Sequence, residues 1–321
     1  MANPEISVVV PSHDRALRLR WLLDALEQQT LPRERWEVIV AHDSERTEAD
    51  RELERHPLAQ AGVLRVVRQR PGSAPPGANR NAGWREARAP VIAFTDDDCR
   101  PPPGWIERAL EMARAHPGAV VQGATLPDPK ELGMLHAAHW HTQHVLPPTP
   151  YVEACNILYP RDLLERTGGF DEHLHTGEDT DLFLRARAAG AILVPAADLV
   201  TYHAVVPLTL LGKLRSAARW QDLPEVIRRH PSLRAEFTLW AFWKRTHAWL
   251  PVALLGAVLG RRRPLPWLLA LPYFVHALPQ HRSNPRARYR ALADLPAQVL
   301  LDLAEMAALA KGSVRHRTFF L

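Results

Sequence analysis

The chain has 321 residues, enough for one large core or a core with an appendage, and its 46% hydrophobic and 23% charged content is globular rather than disordered. Two cysteines, Cys99 and Cys155, exclude a disulfide framework and are expected to be plain packed thiols. The net charge of +5 is unevenly spread: residues 205–321 hold 18 Lys and Arg against 6 Asp and Glu, net +12, which leaves residues 1–204 at −7 and predicts an anionic partner for the tail.

From the start, short β-branched runs alternate with segments of helical period. EISVVVP (5–11) predicts a buried strand, and Leu19, Leu22, Leu23 and Leu26 predict a helix laid over it. Strands follow at 36–41, 63–67, 90–95 and 118–123, with helices at 47–55, 79–88 and 104–115 between them. This alternation predicts an α/β fold, a mostly parallel sheet flanked by helices. The opening MANPEISVVVP has neither the basic segment nor the long apolar core of a signal peptide, so a cytoplasmic catalytic part is expected.

Polar clusters recur where strands end: Ser12, His13 and Asp14, then His42 and Asp43, then Asp96, Asp97 and Asp98. In open α/β sheets that edge is where ligands bind. No GxGxxG follows the first strand and no GxxxxGK[ST] occurs anywhere, so the phosphates of a bound nucleotide would be held mainly by a metal. Two carboxylates about 4 Å apart repel by roughly 4 kcal/mol at an effective dielectric near 20, and three in a row invite a cation. A hard divalent ion takes carboxylate oxygens, and alternation puts Asp96 and Asp98 on one side. A solvated turn capping the next helix is the other reading.

A second acidic group, Glu178, Asp179 and Asp181, occupies the first turn of a helix predicted from Leu182, Phe183, Ala186 and Ala189. The helix dipole, with Thr176 and Asp179 as a capping box, would account for it; catalysis by Asp179 as a general base is the alternative.

Five blocks, SVVVPSHDR, VIVAHDS, ANRNAGWREARAPVIAFTDDDC, ACNILYPRDLLERTGGFDE and GEDTDLFLRARAAG, fall in the order and spacing of family 2 glycosyltransferases, which the chain resembles over roughly residues 5–203. The resemblance implies a GT-A fold and an inverting transferase that uses a nucleotide-diphosphate sugar with Mg²⁺ or Mn²⁺. It implies that Asp43 reads the nucleobase edge, with Pro11, Ser12 and His13 beside the base and Arg80 and Asn81 near the nucleotide. Asp96 and Asp98 take the DxD positions, with Asp98 as the direct metal ligand, Asp96 on the ribose or a metal-bound water, and Asp97 between them on the donor side. Asp179 becomes the general base, and Asn156 and Glu178 line the acceptor side. The family's DDGS reads His42-Asp43-Ser44-Glu45 here and its PTYN reads Pro11-Ser12-His13-Asp14, which leaves the base open: uridine is favoured, deoxythymidine and guanosine are the others. The acceptor would be a hydroxyl on a cell-envelope or lipid-linked glycan.

His203 ends the apolar run LVTYH and either completes the metal shell or is a polar strand end. HAAHWHTQH (136–144) lacks the i, i+4 pair of a helical zinc site, so acceptor contacts or a flap suit it better. Residues 205–321 hold Trp220, Trp240, Trp243, Trp249 and Trp267, and apolar runs 248–260 and 264–279 flank Arg261, Arg262 and Arg263. Each run is shorter than the roughly 20 residues of a bilayer span. A helical region lying at the inner face of the membrane is expected, against a soluble subdomain packed on the core; nucleic acid ranks last, because it leaves the leucines unexplained. Two other functions remain: a sugar-phosphate nucleotidyltransferase, which would want a glycine- and arginine-rich first loop that PSHDRALRLR lacks, and a non-catalytic sugar-nucleotide-binding protein, which would have no need of these acids.

Overall fold

The computed structural model describes residues 3–45, 47–72, 74–137, 139–278 and 285–321, with side chains of the last segment from Leu292 onward. It divides into two compact units: Met1–Leu132 with Thr142–Val205, and Gly133–His141 with Val206–Leu321. In chain order the strands are β1 (Ile6–Ser12), β2 (Trp36–His42), β3 (Leu64–Arg68), β4 (Val91–Thr95), β5 (Cys99–Arg100), β6 (Val120–Pro127), β7 (His139–His141), β8 (Asn156–Pro160), β9 (Leu193–His203) and β10 (Val206–Leu208). The helices are α1 (Ala16–Glu27), α2 (Thr47–Arg55), α3 (Pro57–Gln60), α4 (Pro76–Glu86), α5 (Trp105–Ala115), α6 (Arg161–Thr167), α7 (Glu178–Ala188), α8 (Leu210–Ser216), α9 (Leu223–Arg229), α10 (Arg245–Leu259), α11 (Leu271–Ala277) and α12 (Pro285–His316).

The first unit is built on an eight-stranded sheet in the order β3-β2-β1-β4-β8-β6-β9-β5. Parallel pairing joins β3, β2, β1 and β4, so the chain order reverses between β1 and β4 and opens a crevice at their carboxyl ends. Ile6, Val8 and Val10 point to one side of β1, where Leu19, Leu22, Leu23 and Leu26 of α1 close over them in one buried cluster. On the other side α4 lies close to the strand: a Cβ added at Gly83 would come within 2.6 Å of Val9 Cγ1. That approach seats the start of α4, with Asn79, Arg80 and Asn81 all buried, over the reversal point.

The periodic elements lie where the sequence puts them, but the sheet is less parallel than alternation alone predicts. β8 runs antiparallel between β4 and β6, and β5 antiparallel beside β9. β8 lies within ACNILYP, where five residues leading straight into a helix look like any apolar lead-in. At HAAHWHTQH a 3-10 turn, Pro129–His136, precedes β7, which pairs antiparallel with β10. Strand pairing across the chain overrides the local pattern there. In the second unit α10 covers most of the first apolar run, and a 3-10 turn, Leu265–Ala270, with α11 covers the second. Among the described residues no helix is long and apolar enough to cross a membrane.

Gly83→Ala is expected to destabilise the first unit by about 1–3 kcal/mol, the usual cost of overpacking, read as a lower urea midpoint at unchanged slope; a midpoint equal to the parent's would mean that α4 can move away from β1.

Candidate active site

Four strand ends and two helix starts meet at the crevice, and they bring both acidic groups together. After β4, Asp96 accepts from Arg80 Nη2 at 2.8 Å, while Arg80 Nη1 donates to Glu178 Oε1 at 2.7 Å. One buried guanidinium therefore ties the triad to the start of α7. Burial alone would lower the Arg80 pKa, but Asp96, Glu178 and Asp179 raise it above its ordinary value and keep it charged.

Asp97 faces β1. It accepts from Ser12 Oγ at 2.8 Å, and burial, which its neighbours Asp98 and Asp96 reinforce, pushes its pKa up to about 7. Arg15, on which no sequence expectation rested, works against that rise: its Nη1 lies 3.2 Å from Asp97 Oδ1 and 2.5 Å from Asp98 Oδ2. The signal was present in PSHDR, an arginine directly after the first strand, but its carboxylate partners lie more than 80 residues away.

Asp98, His203 and Asp96 form one of three groups among the described residues that could hold a metal ion, with their ligand atoms within 4.8 Å of one another. Two features of the side chains suit a cation. Asp98 Oδ1 is buried with no hydrogen-bond partner. His203 Nδ1 lies 2.8 Å from the Ala204 carbonyl, which can only accept, so Nδ1 carries a proton, and the other ring nitrogen, Nε2, lies 3.2 Å from Asp98 Oδ1. An imidazole nitrogen and carboxylate oxygens are the donor types that hold a divalent ion. Asp96 and Asp98 with His203 thus fit a divalent ion of the Mg²⁺ or Mn²⁺ type.

Asp43, after β2, accepts from Asn79 Nδ2 at 3.0 Å and from Ala74 N–H at 3.1 Å, with His13 Nδ1 at 3.1 Å. Burial pushes its pKa up, but these bonds outweigh it and hold the carboxylate below its ordinary value. Pro11 lies one residue before Ser12 on β1. Asn79 is a second residue that sequence reasoning passed over, one position short of the Arg80-Asn81 pair.

Asp179 is half-buried at the start of α7, but no capping box forms: the N-cap is Gly177, with no side-chain cap bond. Its carboxylate instead accepts from Thr180 N–H at 2.8 Å and Ala154 N–H at 3.3 Å. Desolvation and then the Glu178 charge push its pKa up to about 8, against the pull of Arg80. A carboxylate so poised has the basicity a general base needs near neutral pH.

The other expected residues are spent on the scaffold. Asn156 Oδ1 accepts from Trp105 Nε1 at 3.1 Å, and its Nδ2 donates to the Ala124 and Leu199 carbonyls at 2.8 Å each. Asn81 donates to the Phe170 carbonyl at 2.8 Å and accepts from Trp84 Nε1 at 2.9 Å, pinning the segment before α7 to α4. His136, His139, His141 and His144 make no metal-holding group among the described residues. Cys99 and Cys155 are buried, and burial raises both thiol pKa values, which keeps them unreactive.

The sequence profile described as Glycosyl transferase family 2 matches residues 7–168. Glycosyltransferase AglE of Haloferax volcanii is 26% identical over 247 residues, 75% of this chain and 80% of its own length. A mannosyltransferase from Pyrobaculum calidifontis, solved in complex with GDP-Man and Mn²⁺, superposes with a TM-score of 0.59 at 20% identity, covering 99% of this chain and 88% of that one. S. aureus TarS 1-349 in complex with UDP-GlcNAc superposes with a TM-score of 0.54 at 16% identity, covering 99% and 93%. These likenesses assign the GT-A-like fold.

Arg80→Met would leave Asp96 and Glu178 without their shared cation. The expected loss of stability is about 3–5 kcal/mol, read by urea denaturation; a loss under about 1 kcal/mol would mean that the bridge is dispensable.

Proposed function

The chain belongs to glycosyl transferase family 2, and from that premise we propose that it is an inverting, metal-assisted transferase moving a sugar from a nucleotide diphosphate to an acceptor hydroxyl. The observation that carries this reading is the Arg80 bridge, which sets a carboxylate of raised pKa, Asp179, beside an acidic group suited to a divalent ion. Asp43 and His13, at the end of β2 and β1, would take the nucleobase edge, with Pro11 and Ser12 alongside. Uridine and guanosine both suit Asp43 as an acceptor, and the two structural neighbours were solved with one of each.

Asp96, Asp98 and His203 would hold the Mg²⁺ or Mn²⁺. A divalent ion bound there would supply positive charge to the diphosphate leaving group. Arg15, half-exposed beside Asp97 and Asp98, brings further positive charge to the same place. Asp179 would take the proton of the acceptor hydroxyl as its oxygen bonds to the anomeric carbon from the face opposite the diphosphate, so that the configuration inverts. Glu178, fixed by Arg80, would sit on the acceptor side and keep Asp179 basic through its charge. A glycan of the cell envelope, lipid-linked or polymeric, is the acceptor class in this reading. Work at the cytoplasmic face of the cell membrane is its setting, for which the net +12 of residues 205–321 is the support. A nucleotidyltransferase or a sugar-nucleotide sensor has no corresponding use for Asp179.

With Mn²⁺ and a panel of nucleotide sugars, the purified chain is expected to release nucleoside diphosphate from one of them. Asp179→Asn should cut that turnover by about 100-fold or more without lowering the melting temperature, because it replaces a carboxyl whose ionisation burial disfavours. Full activity in Asp179→Asn would refute the base assignment. Below its raised pKa the Asp179 carboxyl is protonated and cannot accept, so turnover should climb as pH rises through about 8; a rate flat from pH 6 to 9 would contradict it.

A further inference from the structure

We propose that the second unit docks on an anionic phospholipid leaflet through the hairpin made of α10, the turn after it and α11. It rests on the membrane side of the proposed function and is independent of the transfer chemistry.

The hairpin keeps part of its apolar surface outside. Ala253, Ala270 and Ala277 are buried with Leu250 and Tyr273, and Trp249, Phe274, Leu295, Val299 and Met306 pack against them. At Gly256 a Cβ would come within 2.7 Å of the Pro266 carbonyl oxygen, so the two arms touch almost backbone to backbone. Other large aliphatic side chains face the other way. Leu265 is 73% exposed, Leu268 63% and Leu271 58%, and Leu255 and Val258 on α10 are more than half exposed too. In a helix pair buried by water the large residues would fill the interior; small residues between helices with leucine outside is the arrangement of a surface that meets lipid. So many large exposed aliphatic side chains on one short hairpin mark an interaction site.

Charge selects the occupant. Arg261, Arg262 and Arg263 sit in the turn between the arms, all exposed. Guanidinium groups at the rim of an apolar face match phosphate head groups, whereas a second copy of this chain would meet it with the same positive edge. Trp267, 52% exposed among the leucines, has the amphipathic ring suited to head-group depth. α10 has 15 residues, about 22 Å of helix against a hydrocarbon core of about 30 Å, so the hairpin lies on the leaflet instead of crossing it.

Flotation of the full chain with lipid vesicles tests this. The chain should float with vesicles of phosphatidylcholine containing phosphatidylglycerol, stay behind with phosphatidylcholine alone, and shift its tryptophan emission to the blue on binding. L265S/L268S/L271S and R261E/R262E/R263E should each lower the floated fraction by about fivefold or more with circular dichroism and melting temperature unchanged. The charge-reversal variant leaves the apolar face intact, so its result holds even if the serine variant misfolds. Equal flotation on both vesicles, flotation on neither, or a doubled mass in light scattering that Leu268→Glu abolishes would overturn the proposal. Nucleoside diphosphate release in lipid-free solution is measured in parallel, so failure to bind vesicles is told apart from failure of the transfer reading.

Discussion

A single buried guanidinium organises the catalytic unit. Arg80 spans Asp96 at the end of β4 and Glu178 at the start of α7, and so draws together two carboxylates that lie 82 positions apart in the sequence. Without that charge the crevice would gather Asp96, Asp97, Asp98, Glu178 and Asp179 with the half-exposed Arg15 beside two of them, and mutual repulsion in a desolvated site would drive them apart or protonate them. Arg80 can hold this place because α4 lies tightly on β1 at Gly83, over the point where strand order reverses. Topology puts the acids at one edge, and the arginine makes their company tolerable.

The balance is deliberately incomplete. Arg80 occupies Asp96 and Glu178, Arg15 meets Asp97 and one oxygen of Asp98, and the other Asp98 oxygen is left facing His203 Nε2 without a hydrogen bond. An unsatisfied buried carboxylate oxygen costs stability, typically about 1–3 kcal/mol or more for a charged group. Proteins retain such a cost where a ligand removes it. Asp179 shows the same logic in another form: burial beside Glu178 raises its pKa, which is unfavourable for folding at neutral pH and useful for accepting a proton.

Much of this was legible in the sequence, because each strand end carries its own polar cluster and β-branched runs mark the strands. Asp43, Asp96, Asp98 and Asp179 could be named from their positions in motifs. What periodicity could not supply was pairing. Nothing local says that β8 runs backwards between β4 and β6, that Asn156 braces three elements, or that Asn81 is a tether for the segment before α7. Arg15 and Asn79 escaped notice for the same reason, since their partners are distant in sequence. In the tail, the apolar runs and arginines were visible, but which face is buried depends on the contacts of α10 with the turn and α11. There Leu250 and Tyr273 went inside with three alanines, while Leu265, Leu268 and Leu271 stayed exposed.

The account stands on the crevice acids forming a cation site that a nucleoside diphosphate completes. Titration of Mn²⁺ into the full chain, followed by the free-ion signal in electron paramagnetic resonance with and without UDP or GDP, measures this directly. Uptake of a single ion, tightened by one of the diphosphates and lost in Asp98→Asn, is the predicted result. Equally tight diphosphate binding under exhaustive chelation would contradict it.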